Sequence, residues 1–274
     1  MSLESDAFDR LVRYVEAELG FVTSYYDDSY LDRRISSRMR RAGTEDYAAY
    51  HDLLTEDHDE QEALLDAFSV NVTSFFRNPK VWEEVRSVLR ALSDESGRHE
   101  RIRLWSAACS DGREPYSMAM LALDDPEIDA DRIEITATDI DREILAAARQ
   151  GVYESTRTTD VGEQLAPLSE YDRFIEREGD RFAVADRVKD LVTFQRHDLI
   201  SGEPKSNFDL VVCRNLFIYI DTEHKQPILQ TVTRSLRDGG YLVIGKTETL
   251  PDQLKSSFDS VDRRLRIYRK TDSI

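Results

Sequence analysis

Apolar residues in the first 70 positions of the chain recur at helical spacing. Phe8, Leu11, Val12, Val15 and Leu19 follow one another at steps of mainly three or four residues, which is typical of an amphipathic helix. Further helices are expected over 28–42, 47–54 and 59–68. No segment of this region alternates like a strand. We therefore predict an all-helical N-terminal domain, residues 1–70.

From Arg101 onward, short apolar runs of strand length alternate with helical patterns. Strands are expected at 102–107, 133–138, 191–195, 208–213 and 241–245, and helices at 114–123, 141–149 and 222–236. Such alternation is typical of a parallel sheet covered by helices. Two final runs, 258–262 and 266–268, suggest an antiparallel hairpin. The fold class is therefore α/β, with residues 71–98 as a connector and 99–274 as the α/β domain.

The segment from Val152 to Asp190 interrupts this alternation. It begins with a helical pattern over 161–174 and continues with short alternating runs around the turn Glu178-Gly179-Asp180. An interruption of this length is too long for a plain loop in a compact domain. We interpret residues of about 152–190 as an inserted subdomain.

The charge of the chain restricts its partners. Its 274 residues include 54 acidic and 37 basic side chains, a formal net charge of −17. This balance opposes nucleic-acid binding. It is typical of proteins from salt-adapted organisms, in which high salt screens the repulsion between acidic side chains. An ordinary acidic soluble protein is the alternative interpretation.

One basic cluster stands out against this acidic background. It lies in the second predicted helix and consists of Arg33, Arg34, Arg38, Arg40 and Arg41. Such a run is often only a solvated helix face. Its isolation on an acidic chain favours a docking surface for an acidic partner, and the overall charge disfavours nucleic acid as that partner.

Other sequence features exclude several classes of protein. No apolar run is long enough to span a bilayer, and the N-terminus lacks the features of a signal peptide, so a cytoplasmic protein is expected. Cys109 and Cys213 are too few for a disulfide framework and are expected to be reduced and buried. The five histidines show no metal-ligand spacing, and no metal is expected.

Ligands of open parallel sheets bind at the carboxyl ends of the strands. The first strand is followed by a turn with Gly112 and Glu114. It lacks the three glycines of a dinucleotide loop, which argues against a pyrophosphate and favours a cationic ligand. Asp139 follows the second strand and could accept hydrogen bonds from a ribose diol. It could instead cap the next helix, a role that Asp141 can also fill.

Five blocks in order resemble the CheR family of chemoreceptor glutamate methyltransferases. Residues 71–77, Asn-Val-Thr-Ser-Phe-Phe-Arg, are similar to its N-x-T-x-F-F-R signature, and Trp105-Ser106-Ala107-Ala108-Cys109-Ser110 with Glu114-Pro115-Tyr116-Ser117 is similar to its W-S-A-A-x-S-x-G-E-E-P-Y-S block. Residues 137–141, 208–219 and 239–248 resemble further family blocks. The resemblance covers the whole chain.

The resemblance implies a fold and a reaction. The fold would be a Rossmann-like sheet of S-adenosylmethionine (SAM) methyltransferases, with an N-terminal all-helical domain and a small inserted β-subdomain. The reaction would transfer the methyl group of SAM to glutamate side chains of chemotaxis receptors, leaving S-adenosylhomocysteine (SAH). The acidic composition and this resemblance together suggest an origin in a halophilic archaeon.

Position by position, the resemblance also implies a cofactor site. Its members would be Asn71, Thr73, Arg77, Glu114, Asp139, Asp198, Leu199, Asn215 and Leu216. Glu114 would meet the amino-acid end of SAM, Asp139 the ribose, and Asp198 with Leu199 the adenine. The chain departs from the family pattern at Asp198, where Asn is frequent, and at Arg113, where the pattern has Glu.

Catalysis is assigned to Arg77 and Tyr219. A glutamate carboxylate is already ionised at neutral pH, so no general base is required. Arg77 could hold that carboxylate bidentately, and Tyr219 could contact the region of the sulfonium. Without the resemblance, Arg77 would be interpreted as a helix-end cation and Tyr219 as a core aromatic.

The partner implied by the resemblance is the set of cytoplasmic helices of a receptor, docked on the arginine cluster by a monomeric enzyme. A silent SAM-sensing adaptor is the alternative, and a methyltransferase for RNA or small molecules is a third hypothesis. In tethering CheR enzymes the insert captures a receptor tail through a glycine-rich loop. The turn here, Arg177 to Arg181, has one glycine, so a tether-independent enzyme is predicted.

Overall fold

The computed structural model of the chain describes residues 3–19, 21, 23–68, 73–95, 100–157, 159–217, 220, 222–246 and 248–271. The chain divides into two compact units. One contains residues 1–71 and 219–225, and the other contains residues 72–218 and 226–274. Asn71 and Tyr219, two of the predicted site residues, lie outside the described residues.

The first unit is helical, as expected. Its helices are α1 (Leu3–Glu18), α2 (Asp28–Ala42), α3 (Tyr47–Glu56) and α4 (His58–Phe68). Asp27 accepts a hydrogen bond from the Ser29 amide and begins α2, and Gly43 ends it with a φ of 73°. Because a carboxylate satisfies free amides at a helix start and glycine tolerates the left-handed cap, the bounds of α2 follow from local sequence. They match the prediction.

One apolar cluster forms the core of the helical unit. Leu31, Ile35 and Met39, the predicted inner face of α2, are buried there. Leu11 and Val15 of α1 and Leu54 of α3 belong to the same cluster. The helical period of the sequence therefore identified the packed face of the helix correctly.

The second unit is built on a seven-stranded sheet. Its strands are β1 (Ile102–Ala107), β2 (Ile133–Asp139), β6 (Val192–Arg196), β7 (Phe208–Cys213), β8 (Leu236–Ile244), β9 (Phe258–Asp262) and β10 (Ile267–Lys270), in the order β6-β2-β1-β7-β8-β10-β9. The pairs from β6 to β8 are parallel, and β10 is antiparallel to both neighbours. The α/β fold class is confirmed.

Strand order reverses at β1, which lies between β2 and β7. Chain crossovers leave β1 and β7 in opposite directions along the sheet, and this opens a crevice at their carboxyl ends. All six residues of β7 are buried. The fold thus directs attention to the segments that follow β1, β2, β6 and β7.

The helices of this unit include one long helix that was not predicted from the sequence. They are α5 (Pro79–Glu95), α6 (Arg113–Asp124), α7 (Arg142–Gln150), α9 (Asp186–Lys189) and α11 (Asp252–Lys255), and α10 (Thr222–Ser235) begins in the first unit. Helix α5 occupies most of the predicted connector. It buries Val81, Trp82, Val85, Val88, Leu89 and Leu92, an apolar face at helical spacing.

The insert contains a three-stranded antiparallel sheet. Its strands β3 (Val152–Glu154), β4 (Ile175–Glu178) and β5 (Arg181–Val184) lie in the order β3-β5-β4. The helix predicted over 161–174 is wrong, because α8 ends after one turn at Val161–Gln164. Pro167 lacks an amide hydrogen and its ring blocks continuation of the helix. Leu165 and Leu168 are buried, but they belong to an irregular segment and not to a helix.

Within the described part of the chain, no helix combines the length and apolar character that crossing a membrane requires.

Candidate cofactor and methyl-transfer site

The turn after β1 is held in an unusual backbone conformation. Ala108, Ser110 and Gly112 all have positive φ, at 61°, 50° and 89°. A Cβ on Gly112 would lie 3.0 Å from the Cβ of Ala148 and 3.1 Å from the ring of Phe194. Only glycine therefore fits at position 112. The turn brings Glu114 into the first turn of α6.

Glu114 has a buried carboxylate with a loose ion pair. The Ser106 hydroxyl donates to Oε1 at 2.9 Å, and an NH of Arg214 lies 3.4 Å from Oε2. Burial raises the pKa of Glu114, and the charges of Arg214 and Arg77 oppose this rise only in part. A further cation beside Arg214 and Arg77 would favour the charged form, so Glu114 is suited to an ammonium ligand.

Arg214 is a site residue that the sequence analysis missed. Its side chain is 2% exposed, and it donates at 2.9 Å both to the Arg77 carbonyl and to Oδ1 of Asn78. Burial lowers the pKa of Arg214, and its Nε has no hydrogen-bond partner among the described residues. A cation that directly follows a fully buried strand was the available signal.

Asp139 lies at the end of β2 and is oriented by two amides. The Ser110 amide donates to Oδ2 at 2.8 Å and the Asp141 amide to Oδ1 at 3.2 Å. Each oxygen keeps a lone pair for a further donor. Burial raises the pKa of Asp139. The capping role belongs to Asp141, which accepts from the amides of Glu143 and Ile144 at the start of α7.

Asp198 and Leu199 follow β6. Asp198 folds onto its own loop, where its carboxylate accepts from the Ile200 amide and from the amide and hydroxyl of Ser201. Burial raises its pKa, but these hydrogen bonds outweigh burial and lower it overall. Leu199 is buried. The carboxylate of Asp198 therefore shapes the loop in this structure, and its predicted contact with adenine stays a prediction.

Asn215 and Leu216 follow β7 in a loop that Glu248 supports. Asn215 has a φ of 61°. The buried carboxylate of Glu248 accepts from the Phe217 amide at 3.0 Å and from the Gly245 amide at 2.5 Å. A Cβ at Gly245 would lie 2.6 Å from Glu248. Glu248 was not among the predicted site residues, although it lies in a family block.

Thr73 and Arg77 belong to the segment that precedes α5. The Phe76 ring is buried against Trp82, with ring centroids 5.7 Å apart, and the Trp82 indole donates to the Arg77 carbonyl at 3.0 Å. The positive charge of Arg77 opposes part of the rise that burial causes in the pKa of Glu114. Arg214 contacts both the Arg77 carbonyl and the Glu114 carboxylate, so the structure brings these two predicted residues together.

The models of two protein families match consecutive parts of the chain. Residues 6–69 match the "CheR methyltransferase, all-alpha domain" and residues 71–267 the "CheR methyltransferase, SAM binding domain". The chain belongs to the CheR methyltransferase family. Because the second match spans most of the chain and names a SAM-binding domain, the predicted family and its cofactor class are confirmed.

Relatives of similar length are chemotaxis enzymes by name. The "Chemotaxis protein methyltransferase" of Listeria monocytogenes is 33% identical over 240 residues, which cover 87% of this chain and 88% of the relative. The "Probable chemotaxis protein methyltransferase" of Rhizobium etli is 33% identical over 94% of this chain and 97% of the relative. These relatives are bacterial, and none bears out the expected halophilic archaeal origin.

The arginine cluster of this CheR family member is not uniform. Arg33, Arg40 and Arg41 are exposed, and Arg34 is half-buried. Arg38 differs, because its guanidinium donates to both carboxylate oxygens of Glu60, at 3.0 and 2.5 Å. Arg38 is therefore engaged inside the helical unit and is not available as a docking cation in this structure.

Both cysteines are buried and free, as expected. Burial raises the pKa of each thiol, which opposes formation of the nucleophilic thiolate. Among the described residues, no group of three or more His, Cys, Asp or Glu side chains could hold a metal ion.

Proposed function

We propose that this chain methylates glutamate side chains of chemotaxis receptors with SAM as the methyl donor. The observation that carries the proposal is the pair Glu114 and Asp139 at the carboxyl ends of the neighbouring strands β1 and β2, with Arg77 acting on Glu114. The names of the relatives from Listeria and Rhizobium support the same activity.

The donor set fits SAM. Glu114 would accept from its ammonium group and Asp139 from its ribose hydroxyls, while Thr73, Asn215 and Leu216 would line the pocket with Asn71. Asp198 and Leu199 would border the adenine, with Leu199 as the apolar surface. The turn between β1 and α6 offers no glycine-rich phosphate cradle, which agrees with a cofactor that has no phosphate.

The chemistry needs little from the protein beyond positioning. Bound SAM supplies a methyl group already activated by its sulfonium, so the substrate carboxylate can form the C–O bond while the C–S bond breaks. The Arg77 guanidinium would hold that carboxylate in line, and Tyr219 would border the reacting atoms. Orientation and exclusion of water then account for the acceleration.

The direct test is incubation with labelled SAM and receptor cytoplasmic fragments, followed by release of the label in base. Base-labile label is expected with the parent chain. Arg77→Lys keeps the positive charge but loses the bidentate hydrogen bonding of the guanidinium. Turnover should therefore fall far more than SAM affinity. Tight SAH binding without any label transfer would support the adaptor hypothesis and contradict the proposal.

Receptor docking is proposed for the part of the arginine cluster that Glu60 does not engage, the exposed Arg33, Arg40 and Arg41 and the half-buried Arg34. These side chains offer positive charge to carboxylate-rich receptor helices. Reversing the charge at Arg33 and Arg40 should slow methylation, and the effect should shrink as salt rises. Arg38 is left unchanged in this test because it is engaged by Glu60.

A tail tether is not required in this proposal. The hairpin turn of the insert consists of Gly179 and Asp180, with Gly179 at a φ of 61° and a hydrogen bond from Arg177 to its carbonyl. A short charged turn offers little close backbone approach to a peptide. Deleting the receptor tail should leave methylation unchanged, and tight binding of a free tail peptide would contradict this.

The proposed substrate implies a cytoplasmic enzyme, and we propose a monomer. Sedimentation of the purified chain tests the second statement. The salt-adapted origin is proposed from composition alone, and activity that rises up to molar potassium chloride would support it.

A further inference from the structure

The segment 73–78 is held mainly by side chains from other elements. The Phe75 amide donates to Oε1 of Gln164 at 3.0 Å, and the Phe76 amide to the Ser117 hydroxyl at 3.0 Å. The Thr73 carbonyl accepts from Arg113 at 3.1 Å. This segment contains Thr73 and Arg77, so its position determines part of the proposed cofactor site.

The backbone of the segment is strained. Phe76 and Asn78 have φ values of 48° and 63°, in the left-handed region, which is unfavourable above all for a bulky residue such as Phe76. Such a conformation persists only when its surroundings impose it. The surrounding side chains therefore have a positioning task.

The Arg113 side chain contacts both the β1–α6 turn and this segment. Its guanidinium forms an ion pair with Asp111 at 3.0 Å and stacks over the Tyr153 ring at 4.7 Å. The side chain is 13% exposed, and its Nε lacks a hydrogen-bond partner among the residues that the structure describes. Arg113 thus has an identifiable role at a position where the family pattern has Glu.

Tyr153 brings the insert to the same place. It lies on β3, its hydroxyl donates to the Asp111 carbonyl at 2.7 Å, and its ring packs edge-on against Phe75 with centroids 4.9 Å apart. Gln164, which holds the Phe75 amide, also belongs to the insert. The insert therefore contacts both the turn after β1 and the segment 73–78.

We infer that Arg113 is a positioning residue that, together with Tyr153 and Gln164 of the insert, holds the segment 73–78 in its cofactor-binding position. The insert then has a task in cofactor binding, separate from any contact with a receptor. The inference rests on the proposed function, because it takes the segment to be part of the SAM site.

Only arginine can make this set of contacts. A planar guanidinium donates to a carbonyl and a carboxylate at once and still stacks on an aromatic face. Lysine keeps the charge but loses the fork and the stacking surface. Arg113→Lys is therefore a sharper probe than removal of the whole side chain.

The test compares Arg113→Lys with Arg90→Lys. Arg90 is also an arginine of this unit paired with carboxylates, at 2.8 Å from Asp125 and 3.0 Å from Glu127. We expect Arg113→Lys to weaken SAH binding about tenfold by calorimetry, the size typical of residues that act through others. Hydrogen exchange should rise in peptides covering 73–78 and stay unchanged in β7. Arg90→Lys should change neither quantity.

Unchanged SAH affinity in a folded Arg113→Lys variant would overturn the inference. So would a loss of affinity accompanied by faster exchange throughout the sheet. If Arg113→Lys does not fold, Gln164→Ala is measured in the same way, since it removes one hydrogen bond and no charge. SAH binding by the parent chain tests the proposed cofactor itself, so the two failures are distinguishable.

Discussion

Each unit of the molecule contains a buried arginine–glutamate pair, and the two pairs differ. In the helical unit, Arg38 donates two hydrogen bonds to the Glu60 carboxylate, and the Tyr50 hydroxyl donates a third to it at 2.6 Å. In the α/β unit, Arg214 reaches Glu114 through one contact of 3.4 Å. The pairs have similar burial, with side-chain exposures of 17% and 10% against 2% and 13%.

The direction of the pKa shifts separates the pairs. The hydrogen bond that Arg38 donates to Glu60 raises the pKa of Arg38, whereas burial lowers the pKa of Arg214 and raises that of Glu114. In the first pair the contacts outweigh desolvation. In the second, desolvation outweighs the contacts. We call Arg38–Glu60 the saturated pair, because its hydrogen bonds compensate for burial and it stabilises the fold. We call Arg214–Glu114 the unsaturated pair, because its carboxylate can still accept hydrogen bonds from a ligand.

The largest effect is expected in the saturated pair. Arg38→Met leaves Glu60 buried without its cation, and breaking such a pair costs about 3–5 kcal/mol. Hydrogen exchange in peptides from α2 and α4 should accelerate strongly. Arg40→Met, an exposed arginine of the same helix, is the control and should change stability by less than about 0.5 kcal/mol. Equal effects of the two variants would remove Arg38 from the core.

The next effect belongs to the unsaturated pair and concerns binding. Glu114→Gln removes the charge that would meet the ammonium of SAM or SAH, and a hydrogen bond to a charged group is worth about 1.5–3 kcal/mol. Calorimetry should show SAH affinity lower by that amount. Glu60→Gln is the matched control, with lower stability and unchanged affinity. A Glu114→Gln variant with parental affinity would exclude Glu114 from the site.

Local signals predicted much of the fold. The predicted bounds of α2 match the structure, Asp141 caps α7, and the apolar period identified the inner face of α2. These features depend on residues a few positions apart, which a single sequence displays. The strand bounds were also predicted closely for β1 and β7, because both are short, mostly apolar runs.

Long-range pairing was not predictable in the same way. Glu114 and Arg214 are 100 positions apart, and Arg38 and Glu60 are 22 apart. The sequence therefore grouped Arg38 with the exposed arginines of its helix and gave no role to Arg214. Nor could it indicate the side to which Arg113 turns, because that direction depends on Tyr153 and Thr73 from other parts of the chain.

A smaller effect is expected in the pH dependence of binding. Burial raises the pKa of Glu114 above the usual value of about 4.3. In the ligand-free protein the Glu114 carboxyl group therefore stays protonated up to a higher pH. An ammonium ligand favours the ionised form, and binding therefore releases the proton. SAH affinity should rise with pH through this window, by at most tenfold per unit for one proton, and then become constant.

Calorimetry across that pH range in two buffers of different ionisation enthalpy measures the released proton. Glu114→Gln should reduce the slope without abolishing it, because burial also raises the pKa of Asp139. An affinity that falls with rising pH would have the wrong sign for a ligand ammonium at Glu114.

The smallest effects come from the neutral donors to each glutamate. Tyr50 donates to Glu60, and Ser106 donates to Glu114 at 2.9 Å. Tyr50→Phe and Ser106→Ala each remove one hydroxyl, worth about 1 kcal/mol. If the two pairs differ as proposed, Tyr50→Phe lowers the stability of the helical unit and leaves SAH affinity unchanged. Ser106→Ala should weaken SAH binding and leave hydrogen exchange in β1 and β7 unchanged. A Ser106→Ala variant that exchanges faster but binds SAH normally would make Glu114 a structural carboxylate like Glu60.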